Sequence, residues 1–149
     1  MSLRLHPLAK EDVPIILGFM EQYYKLDGLH FSPPEAEHTL RTLMDDPKAG
    51  TIWKILFNEE TIGYAVLTFW YSLEFHGRSA FLDELFLIEA YRRRGLGTSV
   101  IEFLCAFCRK KNIHTLRLEV EFENRAAREL YQRNGFEVHR RYIMTRRLS

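Results

Sequence analysis

The chain has 149 residues, 46% hydrophobic and 28% charged, with a formal net charge of +1. That balance excludes a disordered chain and supplies no global field for nucleic acid or an anionic membrane. The length fits one domain, spanning 1–149, that buries roughly two thirds of its unfolded surface without a disulfide or metal staple.

The first elements are a short strand at Leu3 to Leu8 and a helix opened by Ala9 to Asp12. In that helix Val13, Ile16, Leu17 and Met20 recur at helical spacing. Gly28 to Pro34 reads as a loop, and Pro34 to Met44 as a second helix with Ala36, Leu40 and Leu43 on one face. Thr51 to Phe57 and Thr61 to Trp70 are rich in β-branched and aromatic residues, and Asn58 to Glu60 between them is a hairpin signal. Ala80 to Ile88 is another strand, apolar except at Asp83 and Glu84.

Gly95 to Lys111 is a long apolar helix. His114 to Phe122 alternates apolar and charged residues, as a half-exposed strand does. Asn124 to Asn134 is a short helix closed by Gly135. Phe136 to Val138 and Tyr142 to Leu148 read as final strands. The order β-α-α-β-β-β-α-β-α-β-β implies a mixed sheet with helices on both faces, an α/β (α+β) class.

No apolar run reaches the ~20 residues of a bilayer span, and the N-terminus lacks a signal-peptide core. A cytoplasmic protein is the expectation. Cys105 and Cys108 lie inside an apolar helical stretch, and no second pair exists to complete a zinc site. They read as packing residues, with no metal expected.

The most informative segment is Glu89-Ala-Tyr-Arg-Arg-Arg-Gly-Leu-Gly-Thr98, between a strand and a helix. Gly95 and Gly97 allow close backbone approach and positive φ. The free N–H groups and dipole of the helix start make an anion site, and Arg92, Arg93 and Arg94 add charge beside it. A dinucleotide fingerprint needs a third glycine where Val100 stands, and a Walker loop needs Gly-Lys-Ser/Thr. The competing reading is a turn that uses glycine only for tight geometry.

The pattern Arg92-x-x-Gly95-x-Gly97 resembles the pyrophosphate motif of the GNAT superfamily of acyl-CoA N-acyltransferases. Downstream, Asn124-x-x-Ala127-x-x-Leu130-Tyr131-x-x-x-Gly135-Phe136 resembles that family's second signature. Asn124 suits a helix N-cap. Tyr131 follows seven residues later on nearly the same face. Ala127 between them is small enough to leave room for a slender arm.

The resemblance implies a mostly antiparallel central sheet of about six to seven strands with one splayed pair, acetyl-CoA as co-substrate and no metal. It implies that Leu85, Phe86 and Leu87 accompany the pantetheine arm as an added strand would. It implies that Arg92, Arg93, Arg94, Gly95, Leu96, Gly97 and Thr98 hold the pyrophosphate, with Asn124, Ala127 and Tyr131 beside the arm. Tyr131 matches the general acid that protonates the leaving thiolate.

Direct attack requires a neutral amine, while a free alkyl amine is mostly protonated at neutral pH. Asp83 and Glu84 are candidate bases whose side chains alternation sends to opposite faces; Glu84 is favoured, Glu119 is a further candidate, and the competing reading is that either acid is a structural hydrogen-bond partner. The resemblance implies an acceptor pocket from Tyr23, Tyr24, Leu29, His30 and Phe31, with Trp70, Tyr71, Glu74, Phe75 and His76. Aromatics among acids suit a cationic, diamine- or polyamine-like acceptor. A protein lysine, an N-terminal amine, an aminocyclitol drug and a non-catalytic acyl-CoA sensor are the alternatives. A homodimer fits the resemblance. The basic stretch His139 to Arg147 reads as a solvated face, not a nucleic-acid site.

Overall fold

The structure, a computed structural model, describes residues 2–149. By internal contacts it comprises a first unit ending at Glu119 and a second unit, Val120–Ser149.

The first unit runs β1 (Leu3–Pro7), α1 (Val13–Leu26), α2 (Pro33–Met44), β2 (Gly50–Phe57), β3 (Glu60–Ser72), β4 (Gly77–Leu87), α3 (Leu96–Lys110) and β5 (Thr115–Leu118). Short 3-10 turns precede α1 and follow β4. The β2–β3 connection is a two-residue loop, with Phe57 opposite Glu60. Asn58 and Glu59 both take positive φ, 49° and 71°. That is the turn whose twist matches the flanking strands.

The strands form one sheet in the order β1-β2-β3-β4-β5. The first three pairings are antiparallel and the β4–β5 pairing is parallel, reached through α3. The sheet is therefore mixed and mostly antiparallel, as expected, with five strands in place of six to seven.

Alternation along the strands feeds two cores. On one face Ile52, Tyr64, Val66 and Phe86 pack with Val13, Ile16, Phe19 and Met20 of α1 and Leu40 of α2. On the other, Trp53 meets Phe103 and Phe107 of α3 edge-on, with centroids 5.8 and 4.9 Å apart. Gly63 lets β3 and β4 approach closely, since a Cβ there would lie 2.0 Å from the Phe86 carbonyl oxygen.

Two irregularities in β4 position the site. Val66 of β3 opposes Glu84 while Leu67 opposes Leu82, so Asp83 is an extra residue, a β-bulge. At the same point β4 parts from β5: their register covers Ser79 to Leu82 against Thr115 to Leu118 and stops. Residues 83–87 of β4 have only β3 as a ladder partner among the described residues.

In the second unit, α4 (Arg125–Arg133) is capped at both ends. Asn124 Oδ1 accepts the Ala127 N–H at 3.1 Å, the expected N-cap. Gly135 has φ 90°, with the Phe136 N–H on Tyr131 O and the Gly135 N–H on Gln132 O. This is the paired C-terminal closure that glycine favours.

Three strand expectations require correction. The strand expected over His114 to Phe122 is limited to Thr115–Leu118, and Phe122 is 85% exposed. Phe136 to Val138 and Tyr142 to Leu148 are not strands, and Tyr142 is 93% exposed. Alternating apolar and charged residues make a strand only where a neighbour supplies a ladder. The ladder of β5 with β4 ends at Leu118, and residues 136–149 have no registered partner among the described residues.

Candidate active site

The site in the first unit is built on the β4 segment that leaves β5. Ile88 N–H donates to Ile62 O at 2.8 Å, which makes this a hydrogen-bonded pair. Pairs alternate along an antiparallel ladder. Phe86 and Glu84 therefore turn their backbone groups toward β3, and Leu87 and Leu85 turn theirs away. Those of Leu85 and Leu87 face the side where β5 has ended. The Leu87 carbonyl already accepts a 2.7 Å bond from Arg92 Nε. Leu85 keeps both backbone groups directed outward, and Leu87 its N–H.

The chain then enters the glycine turn. Arg92 is held by the Leu87 carbonyl and lies over the Phe86 ring, 5.2 Å from its centroid. It braces the strand end against the turn. Arg94 stacks over Tyr91 at 5.0 Å, and Arg93 adopts φ 61°. Arg93 and Arg94 are exposed. Gly95 is the N-cap of α3 with φ 78°, where a side chain would be strained but has room. No side chain caps this end among the described residues. The first helical bond is Ser99 N–H to Gly95 O, so the Leu96 and Gly97 N–H groups precede it at the positive end of the dipole. Gly97 lies in the first turn of α3. A pyrophosphate fits an open, arginine-flanked helix start of this kind. An extended amide-bearing arm fits the strand edge leading to it, which has no ladder partner among the described residues.

Glu84 is the centre of the polar cluster. Its Oε2 accepts the Tyr24 hydroxyl at 2.5 Å and its Oε1 accepts the Tyr64 hydroxyl at 2.6 Å. Tyr64 sits diagonal to it on the same face of β3, and Tyr24 reaches it from α1. Burial raises the Glu84 carboxyl above the usual carboxylate range; the two phenol bonds oppose that rise, and Asp83 adds to it. Burial raises both phenols, reinforced by the Glu84 charge, so they stay protonated donors. Asp83, at the bulge, is solvent-accessible, yet desolvation raises its carboxyl too. Glu119, beyond the end of β5, is exposed.

Of the residues expected to receive the acceptor, one group converges on Glu84. Tyr23 and Tyr24 meet edge-on at 5.7 Å, Tyr24 and Phe31 at 5.6 Å, and Tyr23 lies 6.1 Å from Phe86. Leu29 and His30 are exposed in the loop after α1. The other group already holds a cation: the Arg117 guanidinium lies 5.5 Å from the Trp70 ring and 5.1 Å from the Phe75 ring. Tyr71, Glu74 and His76 are exposed on that hairpin.

Tyr64 is the residue that sequence reasoning missed. Within an apolar strand it looks like packing, and its hydroxyl partner lies 20 residues away. In the second unit, Asn124, Ala127 and Tyr131 are on or at the cap of α4. Tyr131 packs against Phe136 at 5.7 Å, and burial raises its phenol. Burial also raises the thiols of Cys105 and Cys108 in α3, the latter to about 11, which suits packing and not nucleophilic attack. Among the described residues, no cluster of three or more His, Cys, Asp or Glu side chains could hold a metal, and no helix is long and apolar enough to cross a membrane.

Residues 19–136 match the model of the acetyltransferase (GNAT) family, and the chain belongs to that family. It is an acyl-CoA-dependent acetyltransferase. The uncharacterized N-acetyltransferase YycN of Bacillus subtilis (strain 168) is 26% identical over 149 residues, covering 92% of this chain and 94% of that protein. The integron cassette protein HFX_CASS3, from the mobile metagenome of Cole Harbour Salt Marsh, superposes with TM-score 0.86 at 27% identity, covering 97% and 90% of the two chains. A Clostridium acetobutylicum structure described as a predicted acetyltransferase with acetyl-CoA has TM-score 0.80 at 14% identity, covering 97% and 96%, a likeness of fold alone.

Proposed function

We propose that this protein transfers the acetyl group of acetyl-CoA to a small primary amine by direct attack, with a diamine- or polyamine-like acceptor. The observation that carries the reading is the placement of Glu84: a carboxylate among aromatic rings, one residue before the outward-facing backbone of Leu85.

The thioester supplies an activated acyl carbon. The Leu96 and Gly97 N–H groups at the start of α3, with Arg93 and Arg94, hold its pyrophosphate; Thr98 lies in the same turn and Arg92 keeps that turn against β4. Leu85, Phe86 and Leu87 carry the arm along the free strand edge. The Leu85 N–H is the donor that stabilises negative charge developing on the thioester oxygen. Asn124 and Ala127 are the α4 residues assigned to the arm.

Glu84 accepts the proton that the attacking ammonium must lose. A carboxyl raised by burial is a better match to that task than an ordinary glutamate. Asp83 supplies nearby charge, and Glu119 is the second candidate acceptor. Tyr131 donates a proton to the departing thiolate; burial keeps its phenol protonated at working pH. The Tyr23, Tyr24 and Phe31 rings present π-faces to a cation. Residues 1–149 act as one catalytic domain, in the cytoplasm, where both reactants are soluble. Protein lysine or N-terminal amine acetylation remains the second reading of the acceptor.

The test is a panel of primary amines assayed for free CoA release, with the acetylated product identified by mass spectrometry. A diamine or polyamine should accelerate release well above the hydrolytic background. Tight acetyl-CoA binding with no amine acetylated would leave a non-catalytic acyl-CoA sensor as the answer.

A further inference from the structure

Glu84 differs from an ordinary buried carboxylate in how its oxygens are used. Each accepts one phenol, Oε2 from Tyr24 and Oε1 from Tyr64, at 2.5 and 2.6 Å. Distances this short fall in the range of charge-assisted bonds from a hydroxyl to a carboxylate anion. The phenols come from two elements, α1 and β3, and they are not equivalent. Tyr64 is completely buried in the core, packed with Ile52, Val66 and Phe86. Tyr24 is only half-buried, at the aromatic edge with Tyr23 and Phe31.

We propose that Tyr24 and Tyr64 are positioning residues for Glu84, one phenol per oxygen, which aim the carboxylate and hold it as an anion ready to take the acceptor's proton. The proposal rests on the reading of Glu84 as the amine's proton acceptor. Two bonds on two oxygens remove the rotation of the carboxylate about its terminal torsion. A carboxylate oxygen has room for a second hydrogen bond beside the one it accepts from a phenol. The group is fixed without being saturated. An unclamped carboxylate at this depth would take a proton from solvent and present O–H where the reaction needs a lone pair.

The titratable groups facing Glu84 are Tyr24 from α1, with Tyr23 behind it, Tyr64 from β3, and Asp83 beside it on β4. The phenols oppose the rise that burial imposes, and Asp83 adds to that rise. Removing one phenol therefore shifts the balance in one direction, toward the protonated acid.

The experiment compares pH profiles of kcat/KM for wild type, Tyr24→Phe, Tyr64→Phe and Glu84→Gln, using the best amine found. A parallel titration follows the Glu84 side-chain carboxyl carbon by 13C NMR, which needs no turnover. Tyr24→Phe should move the acidic limb and the carbon titration up together by about one pH unit, the equivalent of one charge-assisted bond. Tyr64→Phe should do the same with a larger fall in Tm, because Tyr64 is completely buried and Tyr24 is not. Loss of stability with the limb and the carbon titration unmoved would overturn the proposal and leave the phenols as structural ties. If Glu84→Gln retains full turnover, the reading of Glu84 as proton acceptor fails, while the carbon titration still decides whether the phenols hold the anion. Should Tyr24→Phe not fold, Tyr64→Phe and the wild-type carbon titration decide: a wild-type carboxyl protonated at neutral pH contradicts the clamp.

Discussion

Leu82 of β4 and Leu118 of β5 are the last residues these parallel strands pair. From Glu84 onward β3 is the one ladder partner of β4 among the described residues, and the bulge at Asp83 follows directly on the last β4–β5 pair. One extra residue bends a strand and increases its local twist. The bulge and the end of the ladder coincide, and beyond them the backbone of β4 that faces away from β3 leads toward the glycine turn.

That path depends on Gly63. A methyl group there would sit 2.0 Å from the Phe86 carbonyl oxygen and 3.1 Å from the Leu87 Cα. These are backbone atoms, so β3 and β4 would have to separate. Gly63→Ala should cost at least about 2–3 kcal/mol of unfolding free energy. Urea denaturation measures it, and a change below half a kcal/mol would show that the strands give way cheaply.

Gly95 separates binding from stability. Its φ of 78° strains a β-branched residue by about 1–2 kcal/mol, yet nothing lies within 4 Å of the added Cβ. Gly95→Val should fold with a modest fall in Tm. Millimolar acetyl-CoA should raise the Tm of the wild type and not that of the variant, because relief of the strain rotates the N–H groups at the start of α3. A normal ligand-induced rise in Tm in the variant would contradict this.

Asp12 sets an acid-side dependence of stability. Burial works to raise its carboxyl, but the Ala9 N–H, then Lys54 at 3.0 Å, and His6 outweigh it and hold it below the usual range. A carboxyl depressed in the folded state contributes stability that is fully present above its unfolded value, about 3.9, and is lost as pH falls through the folded value. Asp12→Asn should lower Tm at pH 6 and converge on wild type as pH falls below about 4. Parallel curves down to strong acid would contradict the assignment.

Much of this was legible along the chain. Helix periodicity placed α1, α2 and α3, and the Asn58 hairpin and the Gly135 closure are local backbone choices that their residues dictate. The two signatures located α4 and the glycine turn because close approach and capping depend on a few adjacent residues. The final strands were not legible, since the alternation around Tyr142 does not state whether a ladder partner exists. Simple alternation sent Asp83 and Glu84 to opposite faces, and it could not show that Asp83 is an inserted residue. The bulge is a property of two strands in register. Glu84 stood out as a charge in an apolar strand, whereas its Tyr24 partner is 60 residues away and is defined only by how α1 packs on the sheet.

The central claim is that the edge of β4 beyond Leu82 receives the thioester arm. Amide hydrogen exchange resolved at Leu85 and Leu87 tests it most directly, with Phe86 and Ile88 as controls whose N–H groups face β3. In the free protein Leu85 and Leu87 should exchange far faster than their neighbours. Saturating acetyl-CoA should slow both while changing the controls little. Leu85 and Leu87 amides that are already protected without ligand, or that stay fast with it, would contradict the account.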